Sequence, residues 1–268
     1  MTILDEIAAK TRLRVEKAKK AVPLEKLRKL VDSGQWTVDS GERLPFERAL
    51  KAPGLSFICE VKKASPSKGI IAEDFPWLEI AKEYEAAGAA AISVLTEPEY
   101  FLGADQYLQE ISAAVSIPTL RKDFTIDPYQ IYEAKLLGAG AVLLICALLD
   151  TETLASFIKL AEELGLSALV EAHNAEETEQ ALEAGAGIIG INNRNLKTFA
   201  VDIEAGARLR ELIPSGILSV AESGIKSAED TSILKSLNFD AVLIGESLMR
   251  SKDKKQFLKE LNTYKENL

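Results

Sequence analysis

The chain has 268 residues, 47% of them hydrophobic and 27% charged, with 16 Gly and 9 Pro, a composition that excludes disorder and collagen-like repeats and allows one or two domains. The formal net charge is −9, and the basic residues are scattered apart from the N-terminal segment, which argues against a nucleic-acid footprint. The longest apolar run, Ala141 to Leu149, is nine residues, far short of the ~20 needed to cross hydrocarbon.

Residues 3 to 20 place Leu4, Ile7, Ala8, Thr11, Val15 and Ala18 at three- and four-residue steps among many charges, which predicts an amphipathic helix. A second short helix is expected from Pro23 to about Val31. The acids Asp5, Glu6, Glu16 and Glu25 break any basic face, so a packing helix is favoured over a membrane or RNA arm. The segment lacks the continuous apolar stretch of a secretory signal. Cys59 and Cys146 sit in apolar runs as small hydrophobes, and a cytoplasmic, reducing location is expected.

From Leu55 onward a strand-like run recurs: Leu55 to Val61, Ala90 to Leu95, Pro118 to Lys122, Ala141 to Ile145, Ala168 to Glu171, Ile188 to Asn192, Ile217 to Glu222 and Ala241 to Gly245. Helix-length amphipathic segments lie between them, and several close on a glycine, as at Gly88, Gly138, Gly165 and Gly185, where a left-handed residue ends a helix. Strand ends follow one another at 21 to 34 residues, the length of a strand plus its crossover helix. The reading is α/β: a (βα)8 TIM barrel forming one domain over residues 1–268, with residues 1–50 as an N-terminal helical extension.

An open doubly wound sheet is the competing architecture. Gly185, Gly187 and Gly190 match G-x-G-x-x-G, but they end a helix and run into a strand, the reverse of a dinucleotide loop. No glycine is followed by lysine, so a Walker A loop is absent too.

Barrel enzymes keep their sites at the carboxyl ends of the strands, and here those ends are polar: Glu60 and Lys62, Lys122, Glu171, Asn192 and Arg194, Glu222 and Ser223. Residues two apart on a strand face the same way, so Glu60 with Lys62, and Lys122, Glu171 and Asn192, each extend an inward-facing row. Ion pairs plugging the top layer would explain one strand but not five, since buried pairs cost more than apolar filling. Lysine and glutamate opposed across a water-poor mouth suit proton donation and acceptance. The turns Ser223-Gly224 and Gly245-Glu246 precede helices, where backbone N–H groups can receive a phosphate. Lys63 and Lys68, in the basic loop after the first strand, are read as solvated. His173 is the lone histidine, so a histidine-based metal cluster is excluded and no metal is expected.

The run Glu60-Val61-Lys62-Lys63-Ala64-Ser65-Pro66-Ser67-Lys68-Gly69 resembles the first-strand signature of the indole-3-glycerol phosphate synthase family. The likeness continues through Leu120 to Phe124, Val170 to His173, Gly190 to Leu196, Ala221 to Ile225 and Ile244 to Met249, and so covers nearly the whole chain. It implies a carboxy-lyase of tryptophan biosynthesis that converts 1-(2-carboxyphenylamino)-1-deoxyribulose 5-phosphate to indole-3-glycerol phosphate, losing carbon dioxide and water, without cofactor or metal. By the resemblance Lys122 is the general acid and Glu171 the general base, with Glu60 and Lys62 a second pair and Asn192 beside them. Ser65, Pro66, Phe101, Phe124, Leu143, Arg194, Leu196, Glu222 and Ser223 line the substrate site, and Lys62, Ser223, Gly224, Gly245 and Glu246 surround the phosphate. At Glu246 only the backbone N–H is expected to bind, with the carboxylate turned away. The implied partner is a small anionic sugar phosphate, with neither nucleic acid nor membrane, and a monomer is expected.

Two alternatives remain at this point. Phosphoribosylanthranilate isomerase, a related barrel, looks for a catalytic cysteine on the first strand, but Cys59 has the opposite parity to Glu60 and Lys62. A barrel that only binds phosphate is the second, since fold does not settle function.

Overall fold

The computed structural model describes residues 2–34, 44–194 and 200–262. Eight short runs rich in Val, Ile, Leu and Ala form strands: β1 (Ser56–Val61), β2 (Ala91–Leu95), β3 (Thr119–Lys122), β4 (Ala141–Ile145), β5 (Ser167–Ala172), β6 (Ile188–Asn192), β7 (Leu218–Glu222) and β8 (Ala241–Ile244). All pair in parallel with their sequence neighbours, and β1 closes against β8 with Ser56 opposite Ala241. Every strand falls within a residue or two of the run predicted for it.

Period-2 alternation sorts the strand residues into two cores. Cys59, Val61, Val94, Val170 and Ile191 face outward and pack against the helices. Ile58, Leu120, Leu143, Leu169, Ile188, Val220 and Leu243 face inward and fill the barrel. Two residues beyond five of these inward positions stand Glu60, Lys122, Glu171, Glu222 and Gly245. The apolar filling therefore gives way to polar groups within one pleat of the carboxyl end.

The crossover helices begin and end where the chain provides caps. Asp127, Asp150 and Asn174 each accept a backbone N–H in the first turn of the helix they precede, and Ser227 forms a reciprocal capping box with Asp230, satisfying donors that would otherwise lack partners. The four predicted terminating glycines all have positive φ, from 71° at Gly165 to 94° at Gly88. Asn238 (φ 58°) takes the same place ahead of β8.

The N-terminal extension serves both ends of the barrel. Helix α1 (Ile3–Ala21) starts on a Thr2–Asp5 capping box and buries Leu4, Ile7, Ala8, Thr11 and Val15. Ile3, Leu4 and Ile7 reach the mouth, and Arg14 grips Asp123 just past the end of β3. Helix α2 (Leu24–Ser33) packs Leu27 and Val31 on Tyr129 and Tyr132. Helix α3 (Pro45–Leu50) goes to the opposite end. Its Phe46 and Leu50 are wholly buried in the interior cluster with Ile58, Ala91 and Ala241, near the amino ends of their strands. Among the described residues no helix is long and apolar enough to cross a membrane.

Candidate active site

A cavity of about 810 Å³ opens at the carboxyl ends of the strands. Glu60, Lys62, Ser65, Pro66, Phe101, Lys122, Phe124, Leu143, Glu171, Asn192, Arg194, Glu222, Ser223, Gly224, Gly245 and Glu246 all line it. These are all the site residues read from the sequence except Leu196, which lies outside the described residues.

Its centre is a cluster of charges raised on the inward rows. Lys122 Nζ lies 3.1 Å from Glu171 Oε2 and 3.6 Å from Glu222 Oε2. Glu60, on β1, forms an ion pair with Lys62 just past the strand's end. Asn192 stands opposite Glu222 in the β6–β7 register. It donates from Nδ2 to Glu171 Oε1 at 3.2 Å and accepts the backbone N–H of Arg194 at 3.0 Å. Two glycines make the space for these groups: a Cβ at Gly190 would overlap the Glu222 carboxylate, and one at Gly245 would overlap Glu60 and Lys62.

The three central groups titrate unlike free side chains. Burial disfavours the Lys122 ammonium, but Glu171, Glu222 and Glu60 outweigh it and hold its pKa above the ordinary lysine range. Burial pushes Glu171 up, and Lys122, His173 and Asn192 together bring it well below the usual carboxylate range. Glu222 goes the other way. Burial raises it, Lys122 offsets only part, and the nearby Glu171 and Glu60 push it further, up to about 8. The two carboxylates that face one ammonium are thus pushed in opposite directions, Glu171 toward the ionised form and Glu222 toward the neutral one, an arrangement that separates acid from base.

The cavity walls divide by polarity. On one side the Phe101 and Phe124 rings lie 6.1 Å apart, tilted by 42°, with Leu143 beneath them, 2% exposed, both core residue and cavity floor. Phe101 is held in place because its backbone N–H, with those of Glu99 and Tyr100, donates to the buried Glu97 carboxylate. On the other side Ser223 (φ 69°) and Gly224 (φ 88°) form two successive left-handed residues, and Ser247 Oγ donates to the Ile225 carbonyl at 2.8 Å, tying the last two loops together. Only the second of these turns enters a helix directly, at Glu246–Arg250. The first is separated from Ala228–Ser236 by three residues, and that helix is capped by its own Ser227.

The structure adds residues that the sequence reading left out. Ala64–Ser65 pair with Gly69–Ile70 in a small hairpin, which carries Lys68 to the cavity wall, 3.7 Å from Glu246 Oε1. Lys68 is therefore not merely a solvated turn residue. The Glu246 carboxylate turns to Lys68 and, at 3.3 Å, to Arg250. Lys226 and Arg250 extend the cationic rim. His173, considered above only for metal binding, has Nε2 3.2 Å from Glu171 Oε1 and Nδ1 3.0 Å from Glu177 Oε2. The spacing Glu171-x-His173-x3-Glu177 was its available signal. Cys59 is buried on the outward face, its thiol pushed up by burial, as its parity required.

Fold and site together define a (βα)8-barrel enzyme with an acid–base cluster between an apolar slot and a cationic, glycine-lined rim. Solved barrels share the fold: 3-hexulose-6-phosphate synthase from Salmonella typhimurium aligns with TM-score 0.63 and 16% identity over 78% of this chain and 97% of its own. At that identity the likeness concerns architecture alone. The family model for indole-3-glycerol phosphate synthase matches residues 4–261. Proteins of that name from Ruminiclostridium cellulolyticum and Endomicrobium trichonymphae are 61% and 55% identical, over 94% and 97% of this chain and 95% and 99% of theirs. The chain belongs to the indole-3-glycerol phosphate synthase family, and is a lyase of tryptophan biosynthesis acting on a small phosphorylated substrate.

Proposed function

We propose that this mouth closes the indole ring of 1-(2-carboxyphenylamino)-1-deoxyribulose 5-phosphate, with Lys122 as general acid and Glu171 as general base. The observation that carries the reading is Lys122 held 3.1 Å from an ionised Glu171 and 3.6 Å from Glu222, directly beside the Phe101–Phe124 slot.

The aromatic ring lies in the slot lined by Pro66, Phe101, Phe124 and Leu143, with Ser65 completing it, while the phosphate takes the Ser223-Gly224 and Gly245-Glu246 backbone and Lys62. Arg194, with Asn192 and Ser223, holds the carboxylate and hydroxyl groups, a planar guanidinium being suited to a carboxylate. Anchoring both ends brings the carboxyl-bearing ring carbon to the ketone carbon. A carbon–carbon bond forms there as Lys122 gives its proton to the ketone oxygen, stabilising the charge that develops. Carbon dioxide then leaves and the ring recovers its aromaticity.

Dehydration follows from the same electrostatics. While Lys122 is charged it is the chief counterweight holding Glu171 ionised and weakly basic. Once Lys122 has handed over its proton that pull is gone, and the basicity of Glu171 rises when a proton must be removed beside the departing hydroxyl. The Glu60–Lys62 pair flanks that hydroxyl. Every group invoked belongs to one chain, so the reading needs no second copy; a monomer is expected by light scattering. The cytoplasm is the expected working location.

The test is to incubate the purified chain with the carboxyphenylamino-deoxyribulose phosphate and follow indole absorbance and carbon dioxide. Both should appear together. Ligand binding without either product overturns the reading in favour of a binding module.

A further inference from the structure

We infer that His173 stands as a doubly protonated imidazolium and serves as the positioning residue that holds the Glu171 carboxylate ionised and aimed at Lys122. The inference deepens the proposed function and rests on it only for the role given to Glu171.

The argument begins with hydrogen-bond chemistry. His173 directly follows β5 and points along the same face as Glu171. Its Nδ1 lies 3.0 Å from Glu177 Oε2 and its Nε2 3.2 Å from Glu171 Oε1. A neutral imidazole carries one N–H and one lone pair, so in either tautomer a lone pair would face a carboxylate oxygen at contact distance. Only the form with hydrogen on both nitrogens suits both neighbours. The contact to Glu171 is a charge contact and not a well-aligned hydrogen bond, since Nε2 is buried with no aligned partner.

Glu177 is held in place by several hydrogen bonds. It lies in the first turn of the Ala175–Glu183 helix, where the helix dipole favours an anion. Its Oε2 also accepts the His173 backbone N–H at 2.9 Å, and its Oε1 accepts Asn174 Nδ2 at 2.8 Å. Cys146, in the turn after β4, lies near both carboxylates, and burial pushes its thiol up to about 12, leaving it uncharged; Lys122 and the Asn192 amide also meet Glu171. Burial alone would pull the imidazole down; the Glu171 and Glu177 carboxylates more than reverse this and raise it to about 10.

The consequence for Glu171 is geometric as well as electrostatic. His173 and Asn192 both engage Oε1, which leaves Oε2 turned to Lys122. When Lys122 gives up its proton, His173 remains as the cation beside Glu171.

One histidine in the chain makes the first test direct. In untagged protein labelled with ring-15N histidine, the single pair of ring signals should show both nitrogens protonated at pH 7.5, with a midpoint well above the ordinary ~6.5. Glu177→Gln should lower that midpoint. A neutral tautomer at pH 7.5, or a midpoint at or below ~6.5, overturns the inference whatever the activity. In kinetics, His173→Ala should lower kcat roughly tenfold with KM changed less than about twofold, and shift the acid limb of the kcat profile toward neutral pH. His173→Gln, which can keep an N–H toward Glu171, should recover part of the loss. An unchanged profile in His173→Ala also overturns the inference. If His173→Ala does not fold, Glu177→Gln and the ring signals carry the test. Full activity in Glu171→Gln would instead sink the proposed role of Glu171 and leave the imidazolium assignment standing.

Discussion

The Arg14 guanidinium holds both carboxylate oxygens of Asp123, at 2.7 and 2.8 Å, across 109 residues of chain. Asp123 is wholly buried, and its other donors are Thr96 Oγ1 at 2.7 Å and its neighbour's N–H. The pair fastens α1 over the mouth together with the Lys10–Glu99 and Lys19–Asp127 ion pairs. Arg14→Ala leaves a buried carboxylate with Arg121 3.7 Å away as its remaining cation, and is expected to cost about 3 kcal/mol. Denaturant unfolding checks the stability. A raised KM checks the second effect, because Ile3, Leu4 and Ile7 lose their fixed place at the cavity.

Lys122→Ala and Glu171→Gln are each expected to lower kcat by ~100-fold or more with smaller changes in KM, as proton-transfer groups do. Steady-state kinetics on the anthranilate-derived substrate decide this. Near-normal turnover in either variant removes the role assigned to that residue.

At Gly245 the space for a side chain is already taken. A Cβ would overlap the Glu60 carboxylate and come within 2.8 Å of Lys62 Nζ. Gly245→Ala is therefore expected to raise KM and lower kcat/KM by about tenfold. The disturbance comes from displacing the ion pair as well as from blocking backbone approach to phosphate. Inorganic phosphate, tested as a competitive inhibitor, should bind correspondingly less well.

Gly190→Ala should destabilise the barrel by about 1–3 kcal/mol through overpacking. The added methyl would overlap the Glu222 carboxylate and meet Leu169 Cδ1 at 3.3 Å, and both of those groups are buried. Urea unfolding with an unchanged slope would show the loss as one of stability.

The neutral Glu222 gives stability a particular pH dependence. Its folded pKa is about 8, against an ordinary value near ~4.3 when unfolded. Between those values the folded chain holds a proton that the unfolded chain has released, so this contribution is present at low pH and is lost as pH rises toward 8. Glu222→Gln cannot ionise. The Tm of the variant relative to wild type should thus be more favourable at pH 8.5 than at pH 5. His173, raised to about 10, loses its own contribution on the alkaline side in both proteins and cancels in the comparison.

The strands and the inward rows were legible because period 2 leaves little freedom: once Ile58 is inside, Glu60 must be, and Cys59 must not. The same parity separated the cavity-lining groups from the outward core. What the sequence did not carry was the use of the extension. A stripe such as Leu4, Ile7, Thr11 and Val15 states that a helix is half-buried but not against what, and Phe46 and Leu50 gave no hint that they belong to the barrel floor. Lys68 and Arg250 escaped because an exposed cation near a loop looks the same whether it rims a cavity or faces water. His173 escaped because its two partners come from a strand end and a helix start, which only the turn between them brings together.

Phe46 and Leu50 share one interior cluster with Ala241 and Leu243. Residues made early during synthesis thus reach full shelter only alongside residues made nearly two hundred positions later. At an elongation rate of about 5–20 residues per second, that interval lasts ten seconds or more, during which an aromatic and an aliphatic side chain wait in water. The floor of the barrel ties the end of assembly to the arrival of its eighth strand.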